Sequence, residues 1–519
     1  MKWFYSIVFG LIGCLHAQTE LKNELIVHGI GTEVTARLVL DGLLEKQTLS
    51  KTQDITLLRF ATSADRYQAE RQLNSVGATC QSNVEVDFRR EPNDDLYQQQ
   101  PNLERLDIPR LWDQFQGGQT ASGREVVIAI LDSGFDTQHE DLVDNLWQNP
   151  AEIPNDGIDN DDNGFVDDFS GWNFPAETPQ QTSDTHGTSV TGILGARGDN
   201  QIGVSGINWR SKLMLLQIST VADIIAAYDY VITQRSLYND SNGEAGAFIV
   251  ATNASFGLEG QSCNAYPTWG MQYDRMGEVG ILTAASTANR EWDVDEFGDM
   301  PTTCPSDFMI GVANSDEQGE LTQSSAWGAE SVDLAAPGRG SFSTRPNNNY
   351  GGFGSTSAAA PYVTGTIALL YGHPCERFQR MVGEDPASAA LMVREAIINS
   401  VQPVPELRNL LASGGELAPW RAWQRMDILC GQGQADGIEI FDLGPNPVMA
   451  NTFFSFDTSG PGPYFIRLFD TVGRMLYETR VISPLPARVE LPMSSLPVGV
   501  YRVGVYDGEE ISWRSLLKM

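Results

Sequence analysis

From about residue 125 to 430, short apolar runs alternate with stretches of helical periodicity. Val126-Val127-Ile128-Ala129-Ile130-Leu131 has no polar break, the pattern of a strand buried on both faces. Leu213-Met214-Leu215-Leu216, Ala247 to Thr252 and Gly280 to Ala284 read the same way. Helical patterns fall near 220–235 and after Ser357. This alternation predicts an α/β domain built on a doubly wound, mainly parallel sheet.

The pattern changes at both ends. In 18–90, Glu24-Leu25-Ile26-Val27 and Val84 to Phe88 read as strands. Between them Ser63 can cap a helix ending near Gly77, with Ala69, Leu73 and Val76 on one face. This predicts a compact α/β piece, closed by the polar junction Arg89-Arg90-Glu91-Pro92. Beyond Cys430, aromatic and β-branched residues alternate with polar ones, as in Tyr464 to Phe469 and Val500 to Val505. Recurring turn signals there predict a small antiparallel β-sandwich over 436–519.

The length of 519 residues fits several domains of ~100–200 residues each. Sixty-seven Asp and Glu against 34 Lys and Arg leave a formal charge of −33, which disfavours nucleic acid and anionic membranes as partners. Met1-Lys2 followed by an apolar run from Trp3 to Leu15 and a small residue at Ala17 has the form of an export signal over 1–17. The run is shorter than the ~20 residues that span a bilayer. Leu11-Ile12-Gly13-Cys14 resembles a bacterial lipobox, but its apolar run is short, so cleavage is expected after Ala17. Cys14 would leave with the signal and Cys80 with a removed 18–90 segment. Cys263, Cys304, Cys375 and Cys430 then remain, and four cysteines allow three pairings. Nearest neighbours would give Cys263–Cys304 and Cys375–Cys430, as suits an oxidising compartment.

Three segments set a reactive side chain among small residues: Leu131-Asp132-Ser133-Gly134, Thr185-His186-Gly187-Thr188 and Ser355-Thr356-Ser357-Ala358. A serine hydroxyl becomes a nucleophile when an imidazole takes its proton, and a carboxylate holds that imidazole's tautomer. The order Asp, His, Ser is one of three known for this constellation. Only five histidines exist. His16 and His28 lie in the expected signal and pro-segment, and of the other three only His186 lies among glycines and small residues, His373 standing in Gly372-His373-Pro374-Cys375, which leaves His186 as the base.

These segments resemble those of the subtilisin-like serine proteases, over roughly 91–430. Thr137 to Leu142, Asn253 to Gly257 and Asp333 to Gly338 resemble further stretches of that family. The resemblance implies a secreted serine endopeptidase acting through Asp132, His186 and Ser357. Ser255, Phe256 and Gly257 would pair with the substrate backbone and wall the pocket for the residue before the scissile bond. Asn289 would supply the side-chain oxyanion donor, with Ala288 where the family has glycine. Ser355 likewise replaces a usual glycine, tightening the turn and adding a second hydroxyl. Protein or peptide substrates, inhibition by the chain's own propeptide at 18–90 and a monomeric state follow from the same resemblance. The alternative is a catalytically inactive surface or adhesion protein on the same scaffold.

Two further readings concern the flanks. Residues 151–168 hold seven acids and no Lys or Arg, and Asp159, Asp161, Asn163 and Asp167 stand at the 1, 3, 5 and 9 offsets of an EF-hand loop with Gly164 at the sixth. The twelfth position is Ser170 rather than glutamate, so the match is partial; a structural calcium ion is expected. The acidic run Glu291 to Asp299 lacks ligand spacing and reads as surface. Leu443-Gly444-Pro445-Asn446-Pro447, Gly473-Arg474 and Leu496 to Tyr501 resemble the C-terminal sorting domains of type IX secretion in Bacteroidetes. That resemblance implies contact with a secretion machinery and a released or surface-attached product.

Overall fold

The computed structural model describes residues 20–28, 40–84, 91–430, 439–444, 452–457, 464–470, 474–481, 489–491, 493–494, 496–506 and 511–518. The expected signal at 1–17, the Arg89-Arg90 junction, Pro445-Asn446-Pro447 and Gly473 lie outside these. The chain divides into two compact units, Met1–Arg89 and Arg90–Met519.

The first unit is an antiparallel sheet in the order Leu43–Ser50, Ile55–Phe60, Glu20–His28, Thr79–Val84. The helix Ser63–Ser75 packs Ala69 and Leu73 onto Leu25, Val27, Leu58 and Phe60. Three expectations shift here. The cap is Thr62, whose hydroxyl accepts the Asp65 N–H, and Ser63 is the first helical residue. Val76 is exposed, because at φ −102° and ψ 12° its backbone has left the helix and its side chain has left the apolar face. The last strand runs Thr79–Val84, so the 85–88 part of the expected strand falls outside the described residues.

In the second unit nine strands form one sheet, in the order Gln402–Pro403, Gly415–Glu416, Leu334–Ala336, Met309–Asn314, Leu282–Ser286, Ile249–Ala254, Val127–Asp132, Lys212–Gln217, Gly171–Asn173. Every pairing is parallel except that of Gln402–Pro403. The doubly wound sheet expected from the sequence is therefore present, with its strands displaced by one or two residues. Period-two alternation sorts the central strand's side chains between the faces. Ile128 and Ile130 meet Val190 and Ile193 of the helix Thr185–Gly195, together with Val363 and Ile367 of the helix Thr356–Tyr371. Val127, Ala129 and Leu131 face Ile224 and Val231 of the helix Val221–Asp240, and Trp269 and Tyr273 of the helix Pro267–Glu278. The two helices that carry His186 and Ser357 thus share one face.

Of the three possible pairings, the structure forms Cys263–Cys304 and Cys375–Cys430. The C-terminal strands make two antiparallel sheets, Glu439–Gly444, Thr452–Asp457, Val489–Leu491 and Met475–Val481, Tyr464–Asp470, Gly499–Tyr506, Ile511–Lys518. Leu491 of the first and Ile466, Leu468 and Val503 of the second share a buried cluster. Among the described residues no helix is long and apolar enough to cross a membrane.

Candidate active site

Asp132 is the last residue of its strand, where the buried run ends and the chain can turn. Its Oδ1 accepts from His186 Nδ1 at 2.8 Å and from the Ser133 N–H at 2.7 Å. A carboxylate only accepts, so Nδ1 carries a hydrogen, and in the neutral ring Nε2 then keeps its lone pair. His186 lies in the first turn of its helix, whose cap Asp184 accepts both the His186 N–H at 2.7 Å and the Ser133 hydroxyl at 2.9 Å. Glycines make this approach possible. A Cβ on Gly187 would stand 2.2 Å from the Gly134 carbonyl oxygen, and one on Gly134 would stand 2.2 Å from that of Thr182. Burial pushes the His186 imidazole's pKa down, but the Asp132 hydrogen bond and the charges of Asp132 and Asp184 outweigh it, and the net shift is upward.

Ser357 is the second residue of the helix Thr356–Tyr371 and is buried. Its hydroxyl donates to the Ser255 carbonyl at 3.4 Å, and the Ser255 hydroxyl donates to the Ser357 carbonyl at 2.9 Å. This reciprocal pair brings the Ser255-Phe256-Gly257 segment beside the serine. Phe256 stacks on Trp269, and a Cβ on Gly257 would stand 2.5 Å from the Met300 carbonyl oxygen.

Asn289 is exposed, but its Oδ1 is held. It accepts from the Thr356 N–H at 3.2 Å, from the Thr356 hydroxyl at 2.8 Å and from the Ser355 hydroxyl. The neighbouring Ala288 is not at positive φ, so this turn does not need the family's glycine. The Ala288 N–H donates to Asp299 Oδ2 at 3.0 Å. Asp299 is 1% exposed, which corrects the reading of Glu291 to Asp299 as surface. Burial raises its pKa to about 6, against the opposing Thr302 and Ala288 hydrogen bonds. The lack of ligand spacing suggested a surface run, but the Ala288 N–H and the Thr302 hydroxyl, both donating to Asp299 Oδ2, hold this one acid inward.

The remaining histidines in the second unit are structural. Buried His139 contacts the Asn349 carbonyl at 3.1 Å, and buried His373 contacts Asp427 at 3.0 Å.

The profile of the Subtilase family matches residues 123–415, more than half of the chain. The chain belongs to the subtilase family. This subtilase is 28% identical over 315 residues to "Subtilisin-like protease 1" of Plasmodium falciparum, covering 56% of the chain and 42% of that protein. It is 27% identical over 290 residues to the "Major intracellular serine protease" of Bacillus subtilis, covering 56% of the chain and 80% of that protein. Among solved structures, a protease of Pseudoalteromonas arctica aligns at TM-score 0.46 and 22% identity, over 64% of the chain and 99% of that structure.

In the acidic loop of this subtilase the residues at EF-hand offsets hydrogen-bond within the loop. Asp159 accepts the backbone N–H groups of Asn163 and Gly164, and Asp167 accepts those of Asp156 and Gly157. These two expected ligands are therefore engaged in folding the loop. Asn163 accepts the Phe165 N–H and donates to Asp168. Asp161 accepts the Asn163 N–H and also meets Glu152 and Asp168, with one oxygen from each all within 4.8 Å of one another. Glu152 and Asp168 are buried, and burial raises the pKa of both. Glu152 Oε2 has no hydrogen-bond partner among the described residues. Glu152 and Asp168 were missed because neither stands at an EF-hand offset. The signal that could have found them was the full span of acids from 151 to 168.

Proposed function

We propose that this subtilase is a secreted serine endopeptidase. The observation that carries the reading is the Asp132–His186 hydrogen bond, which leaves Nε2 of the neutral ring free to act as the base, on the sheet face that also carries Ser357. In this mechanism the Ser357 hydroxyl turns from the Ser255 carbonyl to His186 Nε2 and gives up its proton as Oγ attacks the peptide carbonyl carbon. The imidazolium, held by Asp132, returns that proton to the leaving amine as the C–N bond breaks. Water then hydrolyses the ester on Ser357. Negative charge on the carbonyl oxygen is met by Asn289 Nδ2 and by the Ser357 N–H, since the first N–H groups of a helix lack intrahelical acceptors. The backbone of Ser255 to Gly257 lines up the substrate.

A fluorophosphonate reagent tests this reading directly. An adduct mapped to Ser357 supports the peptidase, and a folded chain that never labels supports an inactive scaffold. Asn289→Ala is expected to lower kcat about 10²–10³-fold with little change in KM, because its amide acts on charge that develops in the transition state. A twofold change or less would remove Asn289 from this role.

The cluster of Asp161, Glu152 and Asp168 fits a calcium ion, which takes hard oxygen ligands. The unpartnered, buried Glu152 Oε2 is the atom such an ion would satisfy. Its part would be structural, offsetting three carboxylates that otherwise repel one another. A chelator is expected to lower the melting temperature by several degrees, with calcium restoring it. The shift should shrink in Glu152→Gln, and an unchanged melting temperature would count against the site.

The flanks complete the proposal. Residues 1–17 direct export, 18–90 act as inhibitor and folding aid until release near Arg90, 91–430 form the monomeric peptidase, and 436–519 address the chain to a type IX secretion machinery. The product is then secreted or held at the cell surface, and its substrates are proteins or peptides.

A further inference from the structure

The residue two before the nucleophile has a backbone that its side chain does not favour. Ser355 sits at φ 71° and ψ −173°, a region occupied almost only by glycine. A strained conformation persists where the surroundings over-determine it, and an observed outlier is grounds for seeking a role. Here the side chain has a partner, because the Ser355 hydroxyl donates to Asn289 Oδ1.

The same oxygen accepts the Thr356 N–H and the Thr356 hydroxyl. With donors on every side of Oδ1, flipping the Asn289 amide would set its NH₂ against the Thr356 N–H, donor against donor. The amide is thereby fixed with Nδ2 turned away from the turn. On the other side, the residue preceding Asn289 is pinned at both ends, its N–H donating to Asp299 and its carbonyl accepting the Ala326 N–H. Asn289 is itself exposed, so packing does little to hold its rotamer.

We infer that Ser355 is a positioning residue: its hydroxyl latches Asn289 so that Nδ2 faces the oxyanion, and the serine tolerates a glycine-like backbone to do so. The inference rests on the proposed role of Asn289. Its consequence is separable, because the hydroxyl acts on turnover and the φ angle acts on stability.

Ser355→Gly removes the hydroxyl and relieves the backbone. It is expected to raise the melting temperature or leave it unchanged, while kcat falls about fivefold, the loss that one hydrogen bond usually brings, with KM constant. Ser355→Ala removes the hydroxyl and keeps the strain. Its kcat should match that of Ser355→Gly, with no gain in melting temperature. The deciding measurement combines Ser355→Gly with Asn289→Ala. If Ser355 acts through Asn289, adding Ser355→Gly to Asn289→Ala leaves kcat unchanged from Asn289→Ala alone. If Ser355→Gly lowers kcat by the same factor in both backgrounds, or leaves it unchanged in the otherwise native chain, the latch is overturned while the oxyanion role of Asn289 stands. If Asn289→Ala itself leaves turnover intact, the oxyanion reading fails and the latch fails with it.

Discussion

Ser357→Ala is expected to lower kcat by roughly 10⁶-fold while leaving the fold in place. The size follows from what is lost. Without the hydroxyl no covalent acyl intermediate can form, and His186 has no proton to take from it. Residual rate would come from substrate positioning and the oxyanion donors, which together retain ~10³–10⁴-fold over water. The structural effect should be small. Alanine suits the first turn of a helix, and the Ser357 side chain makes one long hydrogen bond, 3.4 Å to the Ser255 carbonyl. Steady-state turnover of a peptide substrate, with circular dichroism as the folding control, checks both parts. Retention of more than a few per cent of kcat would overturn the assignment of the nucleophile.

Asp132→Asn is expected to lower kcat by about 10⁴-fold. The amide preserves shape, but it can present an N–H where the carboxylate presented only oxygen. The imidazole then settles with its hydrogen on Nε2, and the serine loses its base. The pH dependence gives a second reading of the same interaction. Burial lowers the His186 pKa, and the Asp132 hydrogen bond and the acidic charges bring it above its ordinary 6.5. The base works only when neutral, so kcat/KM in the native chain should rise with pH through a midpoint above 6.5. Asp132→Asn removes the largest upward influence, so that midpoint should move to lower pH. An unmoved midpoint would mean that His186 is not the group being titrated.

Much of the fold was legible because its signals are local. An unbroken apolar run such as Val126 to Leu131 can be buried only between two layers, and it forms a central strand. Small residues around Asp132 and His186 announced a close approach, which Gly134 and Gly187 make against neighbouring carbonyls. The scarcity of histidine narrowed the base to His186, and the buried partners of His139 and His373 agree with that elimination. Where local signals misled, longer-range structure prevailed. Val76 left its apolar face because the helix ended one residue earlier, and Asp299 left the surface because the Ala288 N–H and the Thr302 hydroxyl hold its carboxylate inward.

The sequence by itself determined the layered α/β architecture, the three segments bearing Asp132, His186 and Ser357, and the set of cysteines available to pair. These depend on side-chain pattern and residue type, which are properties of the chain as written. Only the tertiary structure decided which cysteines bonded, which acids in the loop came to face one another, and what held Asn289. Each of those depends on where donors from distant segments arrive. Glu152 and Asp168 are 16 residues apart in sequence, and Ser355 and Asn289 are 66 apart, yet each pair converges on one site. Linear spacing carries no information about a hydrogen bond whose donor is brought in by the fold.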